Sequence, residues 1–523
     1  MSNTQKNINS GQNSPKKSRM SYQKKIPEEK TFDYKKKEHT KALSILEGML
    51  SSCSVGLTGN FLSAFAIALG VSNTIIALLA TLPSLMGAIS QLTVQRVRSF
   101  FKSRKQHIVV LAILQALMWL PLLFAPQLHN PGGWLLLFVT LNMVFGMLIG
   151  PVWNSFMSDI VDDDARGRFF GKRNMYTGLS AFLSTIVAGS ILSAMRPTLF
   201  VGFGILFSLA FLFRLMSAYF LNKMDDPPEN GLSTEDPNIP EFLMNVEKTP
   251  FGKFTVFLML FYVAVYMSSP FFPVYQLSIL KFDYFTFTML ALASTVTSFI
   301  TMIFWGNYVD DIGSKNVLVF CGFLIPVVPF LYVFSTNPWI LGGIEAFSGV
   351  VWAGFGLSTS TYLFDATERK YRTRQLAEYT LCVQVAIFLG AMLGSGILGF
   401  FDTTTKFAFT TIFILSAFAR LLVVILFYKT LKELRVVEIP VKDRLFKKFI
   451  TIRPHQGIVY EPAIETVPEA GKFAREQYKE ITHDVEIFAK KSRRAPRQES
   501  FIKKLEREED DKDLKEYLRK LKK

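Results

Sequence analysis

"DIVDDDARGRFFGKRN", residues 159–174, places four acids (Asp159, Asp162, Asp163, Asp164) and then four bases (Arg166, Arg168, Lys172, Arg173) within sixteen residues. Long apolar runs with almost no charge flank it on both sides. A thinner version, "DATERKYRTR", stands at 365–374, 206 positions further on (365 − 159). A sorted charge cluster between greasy runs, met twice at a fixed offset, reads as cytoplasmic punctuation between membrane helices in a duplicated chain.

The composition agrees. Half of the 523 residues are hydrophobic, 50 of them Phe, and the mean hydropathy is +0.27. Yet 58 residues are Lys or Arg and the formal charge is +16. Both hold because charge and grease are segregated along the chain. A bilayer core about 30 Å thick takes roughly 20 apolar residues per helix. Twelve such segments follow one another, the first at 42–69 and the twelfth at 407–428. Their length and continuity favour helices over the short alternating strands of a barrel. The expected organisation is a basic arm (1–41), a first six-helix half (42–221), a polar linker (222–252), a second six-helix half (253–428) and a charged tail (429–523). The hydrophilic arm ahead of the first segment predicts a retained helix rather than a cleaved signal. Cys53, Cys321 and Cys382 all fall inside apolar segments, so neither a disulfide framework nor a metal site is expected.

Lys and Arg mark the cytoplasmic side. They gather in "RVRSFFKSRK" (96–105), in the opening stretch, at Lys315 and in "ERKYRTR" (368–374), whereas the alternate loops are nearly uncharged. Both termini are therefore expected in the cytoplasm, in a multi-pass protein of the cell membrane.

The repeat extends well beyond the opening cluster. At the same offset of 206, Asp159 falls on Asp365, Arg166 on Arg372 and Arg168 on Arg374. "AGSIL" (188–192) falls on "GSGIL" (394–398), Arg214 on Arg420 and Lys223 on Lys429. Earlier in each half the offset is 210, with Lys105 over Lys315. Two six-helix halves of like orientation are one of the known transporter designs, with the solute path between them near the midplane.

With twelve helices in two repeats on the page, "GNYVDDIGSK" (306–315) becomes informative. Gly306, Asp310, Gly313 and Lys315 resemble the signature loop of the major facilitator superfamily, and the resemblance covers roughly 40–430. The equivalent first-half loop keeps its bases but has Arg96, Phe100 and Ser103 where the signature has Gly, Asp and Gly. The resemblance implies an all-α membrane fold of twelve helices and transport by alternating access. It also implies a latch in which Asp310 faces the base of the fifth helix, near Arg166, Arg168, Lys172 or Arg173, when the cytoplasmic side is closed. Asp159, Asp365, Arg372 and Arg374 are the further gate candidates of the two repeated loops.

The resemblance implies a cavity lined by the first, fourth, seventh and tenth helices. Candidates there are Asn60, Ser63, Asn142, Tyr262, Tyr266, Tyr275, Gln276 and Glu345, with Gln384 on the eleventh. Glu47, Arg214, Glu345 and Arg420 are ionisable groups inside apolar spans, where each is costly. The duplication of Arg214 and Arg420 points to structure. Glu47 is a candidate partner for Arg214. Glu345 has no repeat partner and is the candidate proton-coupling acid. Gly146 and Gly150, like Gly390 and Gly394, have the four-residue spacing of close helix approach.

No metal-ligand spacing, nucleotide loop or nucleophile–base constellation is present, so neither an enzyme nor a cofactor is expected. No nucleic-acid module accompanies the basic charge. The expected function is secondary active transport of a small solute, with the bilayer and protons as further partners and a monomer as the working unit. The alternatives are a transporter-like sensor signalling through its tail, and a lipid flippase.

Overall fold

The computed structural model describes residues 34–161, 163–226, 246, 249–367 and 372–434. The basic arm up to residue 33, most of the linker and the tail beyond 434 lie outside the described residues, as do Asp162 and residues 368–371. Among the described residues, twelve helices are long and apolar enough to cross a membrane. They are α1 (Lys36–Ala68), α2 (Asn73–Gln91), α3 (Arg104–Gln127), α4 (Pro131–Ile160), α5 (Arg166–Ala194) and α6 (Arg196–Lys223) in the first half. The second half has α7 (Pro250–Ile279), α8 (Tyr284–Ile312), α9 (Ser314–Tyr332), α10 (Pro338–Ala366), α11 (Arg374–Leu398) and α12 (Lys406–Phe427). Every run expected from the sequence is one of these spans.

The short polar connections act as caps. Helix starts leave backbone N–H groups without partners, and Asn, Asp, Ser or Thr side chains satisfy them. Asn130 Oδ1 accepts from Gly133 N–H, and Asn337 Oδ1 from Trp339 N–H, each just ahead of a Pro at the first helical position. These two Asn-Pro starts open α4 and α10, the repeat-related helices. Asp283 caps α8 by accepting from the N–H groups of Phe285 and Thr286, and Thr249 caps α7 ahead of Pro250.

An even helix count returns the chain to the side it started from. The end of the bundle near residues 34 and 434 is called here the root end, and the opposite one the far end. The far end is sealed by one apolar core that draws on both halves. It includes Phe61 and Phe65 of α1, Phe203 and Phe207 of α6, Phe271 and Tyr275 of α7, Phe287 of α8, and Phe409 and Phe413 of α12. Phe61 meets Phe287 edge-on at 6.3 Å, and Phe203 meets Tyr284 at 5.9 Å, both across the halves. Such pairs add about 0.5–1.5 kcal/mol each beyond the area they bury. Beside them, the hydroxyls of Thr74 (α2) and Ser395 (α11) are hydrogen-bonded at 2.9 Å. A second core, nearer the root end, is built from the first half alone, with Ile108, Leu111, Leu148, Val152, Phe156 and Leu221 in it.

α5 packs along α8 between the halves. At Gly189 an added Cβ would lie 2.2 Å from Thr288 Oγ1 and 2.7 Å from Thr288 Cβ. Closure of the far end therefore depends on a missing side chain. Overpacking of this kind costs about 1–3 kcal/mol, roughly 5- to 150-fold in a two-state population. Gly189→Val is expected to hold the far end apart. Spin labels at the exposed far-end positions Arg196 and Thr404 should then report a longer dominant distance, reversed by adding Thr288→Ala. An unchanged distance distribution would show that this contact does not control closure.

Candidate transport cavity

Below the far-end core, where the halves meet, lies a cavity of about 490 Å³. Its wall comes from α1 (Val55, Thr58, Gly59, Leu62, Ser63), α2 (Leu79, Ala80, Pro83, Ser84), α3 (Gln115, Trp119), α4 (Val139, Asn142, Met143) and α7 (Tyr266, Ser269, Pro270, Pro273). Two of these helices are interrupted at the cavity. α1 breaks between Thr58 and Phe61, and α7 passes from an α-helix into 3₁₀ turns at Ser269–Phe271 and then a π turn at Tyr275–Ile279. Pro270 and Pro273 have no N–H to offer, which is why α7 is irregular there. Non-helical backbone within a membrane is tolerated where it lines a cavity or is buried in protein. Pro83 also lies at the cavity, within α2, which stays helical through it.

Of the residues expected at the cavity, Ser63, Asn142 and Tyr266 line it. Asn60 is exposed in the break of α1. Tyr262 lies one turn from Tyr266 on α7, their rings 6.4 Å apart. Gln384 is half-buried on α11, and its amide oxygen has no hydrogen-bond partner among the described residues.

Tyr275, Gln276 and Glu345 lie elsewhere. Tyr275 is fully buried against Phe409 and Phe413 of α12. Gln276 Nε2 donates to the Tyr332 hydroxyl of α9 at 2.9 Å, and that hydroxyl donates to Glu345 Oε1 of α10. None of these three, expected at the cavity, is in the wall of this one. In this irregular stretch of α7, Tyr275 packs on α12 and Gln276 reaches Tyr332 of α9, which in turn holds Glu345 of α10. Gln115 and Trp119 were not anticipated, because the wall was assigned to four helices that exclude α3. The available signal was Gln115 itself, the lone amide in the run "IVVLAILQALMWL" (108–120).

Behind Gln115 lies a buried charge network. Glu47 of α1 and Arg214 of α6 are only 5% and 6% exposed. Glu47 Oε2 accepts from Arg173 Nη2 of α5 at 3.2 Å, and Oε1 accepts from the Ser217 hydroxyl at 3.1 Å. Arg214 Nη1 is 3.7 Å from Glu47 Oε1 and donates to Ser217 and Ser51 at 2.8 and 3.3 Å. Its Nε donates to Gln115 Oε1 at 2.8 Å. Arg173 also donates to Ser44 and stacks on Trp153 at 4.3 Å. One carboxylate thus serves two guanidiniums, the planar, multi-donor groups suited to buried pairing.

Arg420, at the repeat-related position, is satisfied differently. It donates to the hydroxyls of Ser416 and Ser268 at 3.1 and 2.8 Å and to Val265 O at 3.1 Å. Among the described residues it has no acidic partner.

The gate candidates occupy the root end. Asp159 pairs with Arg104 of α3 at 2.6 Å, a base outside its own loop. Arg166 and Arg168 are exposed, and Arg166 donates to Ser158 O at 3.4 Å. Asp310 and Asp365 are exposed. Arg372 opens the helix of α11, with its side chain outside the described residues, and Arg374 Nε donates to Glu378 Oε1 at 2.9 Å. In the 306–315 loop, Gly313 has φ +89°, a conformation side chains disfavour. A Cβ there would also strike Glu433, whose carboxylate accepts from the Lys315 backbone N–H at 3.0 Å. Gly306 has open space around it.

Two six-helix halves enclosing a cavity where they meet define a membrane transporter of the twelve-helix type. The family model of the Major Facilitator Superfamily matches residues 46–296 and 254–457, and the chain belongs to that superfamily. Solved structures with the same fold include a point mutant of the nucleoside transporter NupG (14% identity, TM-score 0.62, 75% of this chain and 100% of that one). A bacterial homologue of the iron transporter ferroportin (14%, 0.56, 75% and 98%) and the xylose transporter XylE from E. coli (11%, 0.53, 76% and 98%) are also similar. At these identities the likeness concerns the fold alone. No curated protein sequence matches the chain.

Proposed function

We propose that this protein is a secondary active transporter that moves a small solute across the cytoplasmic membrane by alternating access. The observation that carries the reading is the cavity where the halves meet, roofed by a core to which both halves contribute. Rocking one half against the other would break that roof and expose the same cavity to the far side. Among the described residues, the basic stretches at 96–105 and 166–173 and Lys315 lie at the root end, which supports a cytoplasmic root end and cytoplasmic termini.

Protons are the proposed coupling ion and Glu345 the acid that carries them. Its carboxyl receives the Tyr332 hydroxyl, which in turn receives Gln276. An intramembrane carboxyl wired to neutral partners, with no basic partner among the described residues, is the kind of group proton relays use. The test uses the full chain in proteoliposomes and a solute that stabilises the purified protein on heating. Glu345→Gln is expected to abolish uphill uptake driven by a proton gradient while leaving solute exchange intact. Normal uphill pumping by the variant would rule out the assignment, and absence of exchange by the wild type for a solute that binds would sink the transporter reading.

A further inference from the structure

We propose that the Gln115–Asn142 amide pair is the cavity's selectivity element, held in one polarity by Arg214. We further propose that it takes an uncharged solute presenting a hydrogen-bond donor beside an acceptor, as a vicinal diol or a carboxamide edge does. The inference rests on the transporter reading and adds the class of solute.

The orientation of the pair follows from what each group can do. A guanidinium has donors and no acceptor. Arg214 Nε lies 2.8 Å from the Gln115 side chain, so the atom facing it must be Oε1. That places Gln115 Nε2 toward Asn142 Oδ1, at 3.4 Å, and leaves Asn142 Nδ2 to donate to the Gln115 main-chain carbonyl at 2.9 Å. Each amide nitrogen keeps a second hydrogen, and Asn142 Oδ1 keeps a second lone pair. Both residues line the cavity. The wall therefore offers donors on either side of an acceptor, in a fixed order. Gly146 of α4 makes room for the arrangement, since a Cβ there would lie 2.8 Å from Gln115 Nε2.

The charge of the solute follows from the lining. Among the described residues, no charged side chain lines the cavity. Arg214 lies behind Gln115, beside a Glu47 that it shares with Arg173, and its contact toward the cavity wall is spent on an amide, so no charged group of this cluster reaches the solute. A cation entering would find no carboxylate. An anion would exchange its hydration for a few neutral dipoles, and burying an unpaired charge is costly. A neutral solute loses little and regains its hydrogen bonds from the amides and from Ser63, Ser84 and Ser269. A cavity of about 490 Å³ suits a molecule of monosaccharide or nucleoside size.

The experiment measures thermal stabilisation of the purified full-length protein by solutes in matched sets. Each set holds a neutral compound, its anionic counterpart and a counterpart lacking the diol. The sets are uridine with uridine monophosphate and N3-methyl-2′,3′-dideoxyuridine, which has lost both the diol and the N–H of its amide edge, and glucose with glucuronate and 2,4-dideoxyglucose, which has no vicinal hydroxyls. At least one neutral compound is expected to bind about tenfold or more tightly than both counterparts, since a missing partner leaves buried polar groups unsatisfied. Gln115→Glu keeps an acceptor toward Arg214 but removes the donor. It should leave the ligand-free melting midpoint in place and weaken the neutral compound about tenfold.

Arg214 acts as a positioning residue. In Arg214→Gln the amide at 115 is free to turn over, so the preference for the diol over its deoxy counterpart should collapse, a ratio that a merely structural loss would not change. The proposal is overturned if no neutral compound stabilises the protein, if an anionic or deoxy counterpart does so equally, or if Gln115→Glu binds unchanged. An anionic solute that binds and exchanges across proteoliposomes would overturn the neutral class alone. A neutral solute that binds without exchange would sustain the cavity assignment and sink transport.

Discussion

Glu47→Ala is expected to be among the most damaging single substitutions in the membrane domain, at about 3–5 kcal/mol of stability. The residue is the one carboxylate shared by Arg173 and Arg214. Removing it leaves two guanidiniums beside each other inside the bilayer with only hydroxyls, carbonyls and an amide to hold them. The loss comes from stranding those charges, not from the attraction itself. The same reasoning makes the pair removable. Replacing a buried ion pair by apolar groups is often neutral or stabilising, whereas removing one partner is not. Glu47→Leu combined with Arg214→Leu should therefore lose less than Glu47→Leu alone, even though it changes more atoms. Arg173 can then turn its head toward the root end, where its side chain is already 16% exposed. Unfolding of the purified protein in mixed detergent micelles would show the ordering. A double variant weaker than the single by the full sum of its parts would mean the two residues act independently.

Joining Thr74 to Ser395 covalently is expected to stop transport. Their hydroxyls are 2.9 Å apart, one in each half, at the far end. Thr74→Cys with Ser395→Cys, in a background where Cys53, Cys321 and Cys382 are replaced, should form a disulfide under mild oxidation. If the halves must separate there in every cycle, exchange in proteoliposomes falls to background when the bond forms and returns when it is reduced. Undiminished exchange by protein shown to be cross-linked would mean that the far end need not open, and alternating access about this contact would be wrong. The two variants probe different things. The first concerns what keeps the first half folded, the second whether its movement against the other half is the working motion.

Much of this was legible in the sequence. The run "LLLFVTLNMVFGMLIGPVW" (135–153) can scarcely be anything but a membrane helix, because its backbone must satisfy itself and its side chains avoid water. The Asn-Pro pairs at 130–131 and 337–338 show where two equivalent helices start. Arg214 and Arg420 were recognisable as exceptional by cost alone. Glu47 was named as a candidate partner of Arg214, and the two pair; the contacts of Arg214 with Gln115 and of Arg420 with Ser268 were not foreseen, because they join helices whose relative rotation the sequence does not fix. The cavity wall was read less well. Ser63, Asn142 and Tyr266 line it, while Tyr275, Gln276 and Glu345 are built into the packing of α7 against α9, α10 and α12. Gln115 was passed over altogether.

The division has one physical cause. Length of an apolar run, placement of caps and bias of loop charge are local or additive properties, so the sequence by itself determined twelve spans, two like halves and the polar punctuation between them. A helix that is apolar on every side carries no stripe to say which face points inward. Its rotation, its breaks and its neighbours are settled only when it packs. The tertiary structure alone therefore decided that Arg214 meets Glu47 and Gln115, that Gln115 and Asn142 face one cavity, and that the far end is the end that is closed.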